Sequence, residues 1–403
     1  MRPKKNRGAA GLEVTVVLAP VDPRGTTPVM QQPGAQPSVA DAVLAVERRF
    51  PALRGQLPRV CCTRLPTRVH RLERLGAHIG VEQLWIKRDD ESGILYGGNK
   101  PRKLEFLLGA ALAAGKRAVL TFGGIGTHHG LATAICARSV GLRTLLVLLR
   151  QPVTEHVRRC LLMDHAAGAE LHYAPTVPTL VARALLLCGR ELLHGQLPYV
   201  IPTGGTSALG TLGYVNAAFE LQEQIQAGAL PEPAWIFVPM GSGGTVAGLV
   251  LGSKLAGLRS RIAAVLVTDI LPPSAARLAT IAQRSLDIMR AHMDVPLVTV
   301  RADDFTILRD YVGRAYGAPT DAGRQARQLI ERLEGVHLDS SYTAKCLAAM
   351  IDAAPTTPFQ SGPVLFWNTY NSIDATMHLV PLPDSRELPA SLHRFFTGPT
   401  ESA

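Results

Sequence analysis

Short apolar runs alternate with longer stretches of helical periodicity along most of this chain. Residues 84–86, 118–122, 144–149, 170–173, 199–201, 235–238, 263–268 and 363–366 read as strands, several of them apolar throughout. Helical spacing of apolar positions predicts helices over 40–50, from Lys100 through Leu108, and over 131–140, 154–167, 178–193, 274–293, 322–333 and 342–352. Strands and helices in turn, joined by short links, predict an α/β protein with parallel sheet. Residues 1–40 are rich in Pro, Gly, Gln and Thr and are expected to be disordered or loosely attached, and the polar tail beyond Pro383 to wrap the surface or fray.

One stretch, from Lys87 to Leu108, organises the rest. A strand breaks into the acidic loop Asp89-Asp90-Glu91, passes Gly97 and Gly98, and enters a helix carrying Leu104, Leu107 and Leu108. Lys100 therefore sits at or just before a helix start, behind two glycines that allow a tight turn, with Pro101 suited to the first helical turn. An amine held there, with Arg102 and Lys103 beside it to lower its pKa, meets the requirements for Schiff-base formation. Taken alone, the cluster reads more readily as solvated cations at a helix end.

Two glycine-rich turns join strands to helices. Gly241, Ser242, Gly243, Gly244 and Thr245 form a nest of donors suited to a phosphate, although a tight structural turn has the same composition. The spacing is neither a dinucleotide fingerprint nor a nucleotide P-loop. The second turn, Gly123 to Gly130, includes Gly126, Thr127, His128 and His129 and can present backbone N–H groups to another anion.

Composition narrows the classes. The 403 residues suffice for two α/β domains, and a hydrophobic fraction of 47% is ordinary for a globular protein. No apolar run is long enough to cross a bilayer, so no membrane association is expected. The net charge of +10 comes from scattered arginines without interleaved aromatics, which argues against nucleic acid and for attraction of small anions. Cys61, Cys62, Cys136, Cys160, Cys188 and Cys346 have no metal-ligand spacing and are expected to be reduced thiols, with no metal. No secretion signal is legible at the start, and a cytoplasmic protein is expected.

Ile-Lys-Arg-Asp-Asp followed by Gly-Gly-Asn-Lys-Pro-Arg-Lys-Leu-Glu-Phe-Leu closely resembles the 1-aminocyclopropane-1-carboxylate (ACC) deaminase and D-cysteine desulfhydrase family. The likeness runs from about Leu65 to about Pro383. The family's members are pyridoxal 5′-phosphate (PLP) enzymes of the tryptophan synthase β-like fold (fold type II). The resemblance implies two three-layer α/β/α domains with mostly parallel sheets. Residues 56–103 and 206–385 would form the large PLP-binding domain and 104–205 the small one, with 1–55 an N-terminal extension and 386–403 a C-terminal tail. It implies that Lys100 carries the cofactor, that Gly241–Thr245 grip its phosphate, and that Gly126, Thr127, His128 and His129 receive the substrate carboxylate. Tyr316 and Tyr342 match two family tyrosines that line the substrate side of the cofactor.

The resemblance also shows departures. The family has Ser-Asn where this chain has Thr127-His128; Thr127 keeps a hydroxyl implicated in proton transfer, and His128 would donate to the cofactor's ring oxygen. Thr343 stands where ACC deaminases have a glutamate at the pyridine nitrogen. A threonine would only donate to a neutral nitrogen, a weaker electron sink that suits β-elimination. Trp367-Asn368-Thr369-Tyr370-Asn371 replaces a segment ending in two glycines. The implied activity is a PLP-dependent lyase or deaminase of a small amino acid. D-cysteine desulfhydrase-like elimination to pyruvate, ammonia and a thiol leads. ACC deamination, or a PLP-binding homologue with altered activity, stands as the alternative. A homodimer is the assembly the resemblance implies.

Overall fold

The computed structural model describes residues 43–356 and 362–400. The chain begins with α1 (Ala45–Arg49), β1 (Val69–Arg71), α2 (Glu73–Ile79), β2 (Leu84–Lys87) and α3 (Asn99–Ala113). It continues through β3 (Ala118–Gly124), α4 (His128–Ser139), β4 (Arg143–Leu149), α5 (Glu155–Ala166), β5 (Ala169–Ala174), α6 (Val177–Leu193) and β6 (Tyr199–Val200). Then follow α7 (Ala208–Gln226), β7 (Trp235–Met240), α8 (Gly244–Ala256), β8 (Arg261–Leu266), α9 (Ala275–Arg290) and β9 (Thr306–Leu308). The last elements are α10 (Asp321–Glu334), α11 (Thr343–Ala353), β10 (Val364–Trp367) and α12 (Ala390–His393). Of the helix expected over 40–50, residues 40–42 lie outside the described residues, as does the expected loose segment 1–40.

The strands form two sheets. One has the order β1-β2-β10-β7-β8-β9 and is parallel except for β1; the other, β5-β4-β3-β6, is parallel throughout. Parallel strands covered on both faces are apolar at every position, and β7 shows why. Ile236, Val238 and Met240 face a core shared with α7, α8 and α9, whereas Trp235 and Phe237 face the core of α2, α10 and α11. The smaller sheet is layered in the same way, with Leu146 and Leu148 toward α3, α4 and α5, and Leu145 and Val147 toward α6.

Helix α7 was not visible in the periodicity, although it runs from Ala208 to Gln226. Leu212, Tyr214, Val215, Ala217, Ala218, Phe219 and Leu221 are all buried. A helix packed on all sides has no polar face, so it leaves no amphipathic signal. The tail beyond Pro383 wraps inward, with Leu388, Leu392 and Phe395 packed in the core of the smaller sheet.

A buried ionic cluster fixes the start of α3. Arg102 donates to Asp89 Oδ1 at 2.7 Å and to Glu220 Oε2 at 2.9 Å, and Lys87 reaches Glu220 Oε1 at 2.5 Å. Tyr214 and the Trp367 indole each donate to Asp89 Oδ2, at 2.6 and 2.7 Å. Buried charges persist only where paired and fully hydrogen-bonded. Here they tie β2, α3, α7 and β10 together one turn from Lys100.

Candidate active site

Lys100 is the second residue of α3. Ahead of it, Gly97 and Gly98 let the chain pass against the segment after β10. Gly98 has φ of 86°, and a Cβ there would stand 2.7 Å from the Tyr370 carbonyl oxygen and 2.8 Å from that of Thr369. Only glycine satisfies both constraints. The bulky replacements near residue 370 thus pack onto the glycine turn: Asn371 Oδ1 accepts from Gly97 N–H at 2.6 Å.

The Lys100 ammonium donates to Asn99 Oδ1 at 2.6 Å and lies 6.0 Å from the centre of the Tyr342 ring. Burial lowers the amine to about 8, with Asp339 opposing the shift. The cause differs from the sequence expectation. Arg102 turns away into Asp89 and Glu220, and loss of solvation does the work. Tyr342 and Tyr316 meet through their hydroxyls at 2.7 Å, and a Cβ on Gly241 would stand 3.1 Å from Tyr342 Cε1. Lys100, Tyr342, Tyr316 and the glycine nest therefore share one site.

The nest lies between β7 and α8. Gly243 is left-handed (φ 90°), and a Cβ on it would stand 2.3 Å from Leu278 Cδ2. The Gly244 N–H points to Thr206 Oγ1 at 3.3 Å, Ser242 Oγ lies 2.7 Å from the same hydroxyl, and Asn99 Nδ2 donates to Thr245 Oγ1 at 3.0 Å. Lys103 is buried, donates to the Gly204 carbonyl at 3.1 Å, and brings Nζ within 3.3 Å of where a Cβ on Gly244 would stand. A helix N-terminus, hydroxyls and the amine of Lys103, pushed well below the ordinary lysine range by burial, converge on a space without side chains and match the chemistry of a phosphate. The residues present fit PLP. Lys103 and Thr206 were not anticipated as contributors to this nest; Lys103 lies in the Lys87–Leu108 stretch, Thr206 in no motif, and only the fold aims them at it.

Helix α4 begins three residues earlier than its periodicity predicts, because Thr127 caps it by accepting from Gly130 N–H at 3.2 Å. His128 is half-buried on the first turn and burial lowers it to about 3, with His156 the next contributor. Tyr96 O–H lies 2.6 Å from His128 Nδ1 and His156 Nε2 lies 3.1 Å from His128 Nε2. Both ring nitrogens are thus engaged, and donation to a cofactor oxygen would require releasing one. His129 is buried with Nε2 2.9 Å from Thr121 Oγ1, facing β3. Gly126 and Gly124 lie under the Gln151 amide, which occupies the space a side chain there would need.

Thr343 opens α11 and is buried, but its hydroxyl proton is directed to Asp339, not left open. It donates to Asp339 Oδ1 at 2.5 Å and accepts from Asp339 N–H at 3.0 Å. Asp339 also accepts from the N–H groups of Ser341, Tyr342 and Thr343. It is the carboxylate whose field raises Lys100, His128 and Lys345. Sequence reasoning passed over Asp339, which stands four residues before the first residue of α11 and outside its N-cap position, so no local capping signal marked it.

Residues 63–369 match the family model described as "Pyridoxal-phosphate dependent enzyme". The chain belongs to this family. A D-cysteine desulfhydrase of Klebsiella pneumoniae (strain 342) is 34% identical over 322 residues, covering 78% of this chain and 94% of the relative. Another, from Salmonella choleraesuis (strain SC-B67), is 36% identical over 322 residues with the same coverage. Among solved structures, an ACC deaminase homologue matches with TM-score 0.68 and 30% identity over 83% of this chain and 98% of its own. The fold is therefore the PLP-dependent fold type II, and the enzyme uses pyridoxal phosphate. Among the described residues no helix is long and apolar enough to cross a membrane, no group of side chains is arranged to hold a metal ion, and the six cysteines are free.

Proposed function

We propose that this chain is a carbon–sulfur lyase of the D-cysteine desulfhydrase type, acting on a small β-substituted D-amino acid to give pyruvate, ammonia and a thiol or sulfide. The observation that carries the reading is the desolvated Lys100 amine facing Tyr342 beside the glycine nest. The names of the relatives support the same reading.

In this reading Lys100 carries PLP, and Gly241–Thr245 with Lys103 hold the phosphate. When bound, the cofactor supplies the electron sink for a carbanion at Cα. The chain's own groups do the rest. Lys100, lowered to about 8, is available as a neutral amine near physiological pH to take and return a proton at Cα. Gly126 and the start of α4 bind the substrate carboxylate, and Thr127 retains a hydroxyl proton to offer there. Tyr316 and Tyr342, sharing one hydrogen bond, orient the substrate side and place a phenol near the leaving group. We assign the six-stranded sheet to the large domain (56–103 and 206–385), the four-stranded sheet to the small one (104–205), a homodimeric assembly, and a cytoplasmic location suited to six free thiols.

The test begins with the purified protein. A near-visible absorbance band that borohydride bleaches and fixes on Lys100 establishes the cofactor's seat. Products are then measured from D- and L-cysteine, β-chloro-D-alanine and ACC. Pyruvate and sulfide from D-cysteine are expected. Ammonia from ACC with none from D-cysteine would replace the reading with deamination, and a bleachable band without turnover would leave a PLP-binding homologue.

A further inference from the structure

His128 belongs to a line of side chains that runs from buried Tyr96 to solvent. Tyr96, the residue before the Gly97-Gly98 turn, sits on His128 Nδ1 at 2.6 Å. His128 Nε2 faces His156 Nε2 at 3.1 Å, and the same His156 nitrogen lies 3.3 Å from Cys160 Sγ one helical turn along α5. His156 is solvent-exposed, whereas Tyr96 is 2% exposed and Cys160 is fully buried.

One set of imidazole tautomers fits the two buried ends. Burial pushes both the Tyr96 phenol and the Cys160 thiol up, so each keeps its hydrogen. Cys160 Sγ lies against His156 Nε2, and in this set that nitrogen is bare. His128 Nε2 then carries the hydrogen that closes the 3.1 Å contact. A neutral imidazole has one N–H, so His128 Nδ1 is bare and accepts from Tyr96. His156 keeps its own proton on Nδ1. In this set of tautomers the Tyr96 and His128 donors both point outward. Lys100, Asp339, Tyr370, Arg159 and Asp164 are the charged and titratable groups around it.

We propose that Tyr96, His128 and His156 form a proton exit from the site to solvent, which carries away the proton that an ammonium substrate sheds before its amine displaces Lys100. The proposal rests on the cofactor placement given above. The proton from the R–NH3+ group lands on the Tyr96 oxygen as the Tyr96 proton passes to His128 Nδ1. The His128 Nε2 proton passes to His156 Nε2, and the His156 Nδ1 proton leaves to water. One proton enters and one departs, and the amine is left neutral. His156 is the mouth of the line, and its exposed place on α5 gives it no part in the core.

Holoprotein is mixed with glycine, D-alanine or L-alanine, which have no β-leaving group, and the change in near-visible absorbance is followed by stopped flow. His156→Ala should slow the change by on the order of 100-fold and leave its final amplitude unaltered, and added imidazole should restore the rate. In parallel, 15N-histidine NMR should show His128 protonated on Nε2 and His156 on Nδ1. An unchanged rate, a slowed rate that imidazole does not restore, or a proton on His128 Nδ1 would each overturn the exit. If no amine alters the spectrum, the amino-acid lyase reading falls, and the two tautomers alone decide the proton line.

Discussion

The Thr343 hydroxyl and the Asp339 carboxylate are joined at 2.5 Å, and the Asp339 N–H returns a bond to the same hydroxyl at 3.0 Å. The Thr343 hydroxyl therefore has no free proton to give a pyridine nitrogen, and the carboxylate that holds that proton is Asp339. Its first duty is to the backbone N–H groups that lead into α11. Thr343→Ala should cost about 1–3 kcal/mol of stability in urea unfolding, because Asp339 loses a buried partner, while the cofactor's absorbance stays unchanged. Thr343→Ser should recover the stability. A loss of the absorbance band in Thr343→Ala with stability intact would move the hydroxyl's role to the ring.

Lys100 should capture cofactor as a neutral amine. Burial brings its pKa down to about 8. The reactive fraction then rises as pH passes through about 8 and levels off above it; an unperturbed lysine would keep rising to beyond pH 10. The rate at which apoprotein regains the near-visible band, measured from pH 6 to 10, should follow that curve. Lys100→Ala should show no band at any pH.

Lys103 should act on affinity and not on the band itself. Its amine is buried beside Gly244, and a hydrogen bond to a charged group such as a phosphate is worth about 1.5–3 kcal/mol. Lys103→Ala should therefore weaken PLP binding by roughly 10- to 100-fold in equilibrium dialysis, with the band restored at saturating cofactor. Equal affinity would place the phosphate elsewhere.

Gly98 should tolerate no side chain. Gly98→Ala forces a left-handed residue against two carbonyl oxygens, which ought to cost at least about 1 kcal/mol from backbone conformation alone. The variant should melt lower and bind PLP poorly, because the turn that aims Lys100 is displaced. Gly80→Ala, left-handed in open space, serves as the control for conformation without the clash.

His128 and Tyr370, both departures from the family pattern, pack edge to face with ring centres 5.5 Å apart at 88°. The two changes should be coupled. His128→Asn and Tyr370→Gly are each expected to lower activity on the substrate that the product panel identifies. The double variant should lose less than the sum, with a coupling of roughly 0.5–3 kcal/mol. Additive losses would mean that the rings merely coexist.

Much of this enzyme was legible in one dimension. The alternation of strands and helices set the parallel α/β class, since buried parallel strands must be apolar and turns must carry glycine. Lys100 and the nest at Gly241–Thr245 were legible as well, because tight turns and helix starts are local and leave their mark in consecutive residues. Helix α7 was not, because burial on every side erases the periodicity that reveals a helix. The partners of the site residues were also out of reach. Thr343 looks open in sequence, but Asp339 takes its proton; His128 looks titratable, but Tyr96 and His156 hold both its nitrogens. The amine of Lys100 was expected to be tuned by its neighbours in sequence and is tuned by the loss of water around it. Hydrogen-bond partners and desolvation depend on which distant segments close over a residue, and only the tertiary structure decides that.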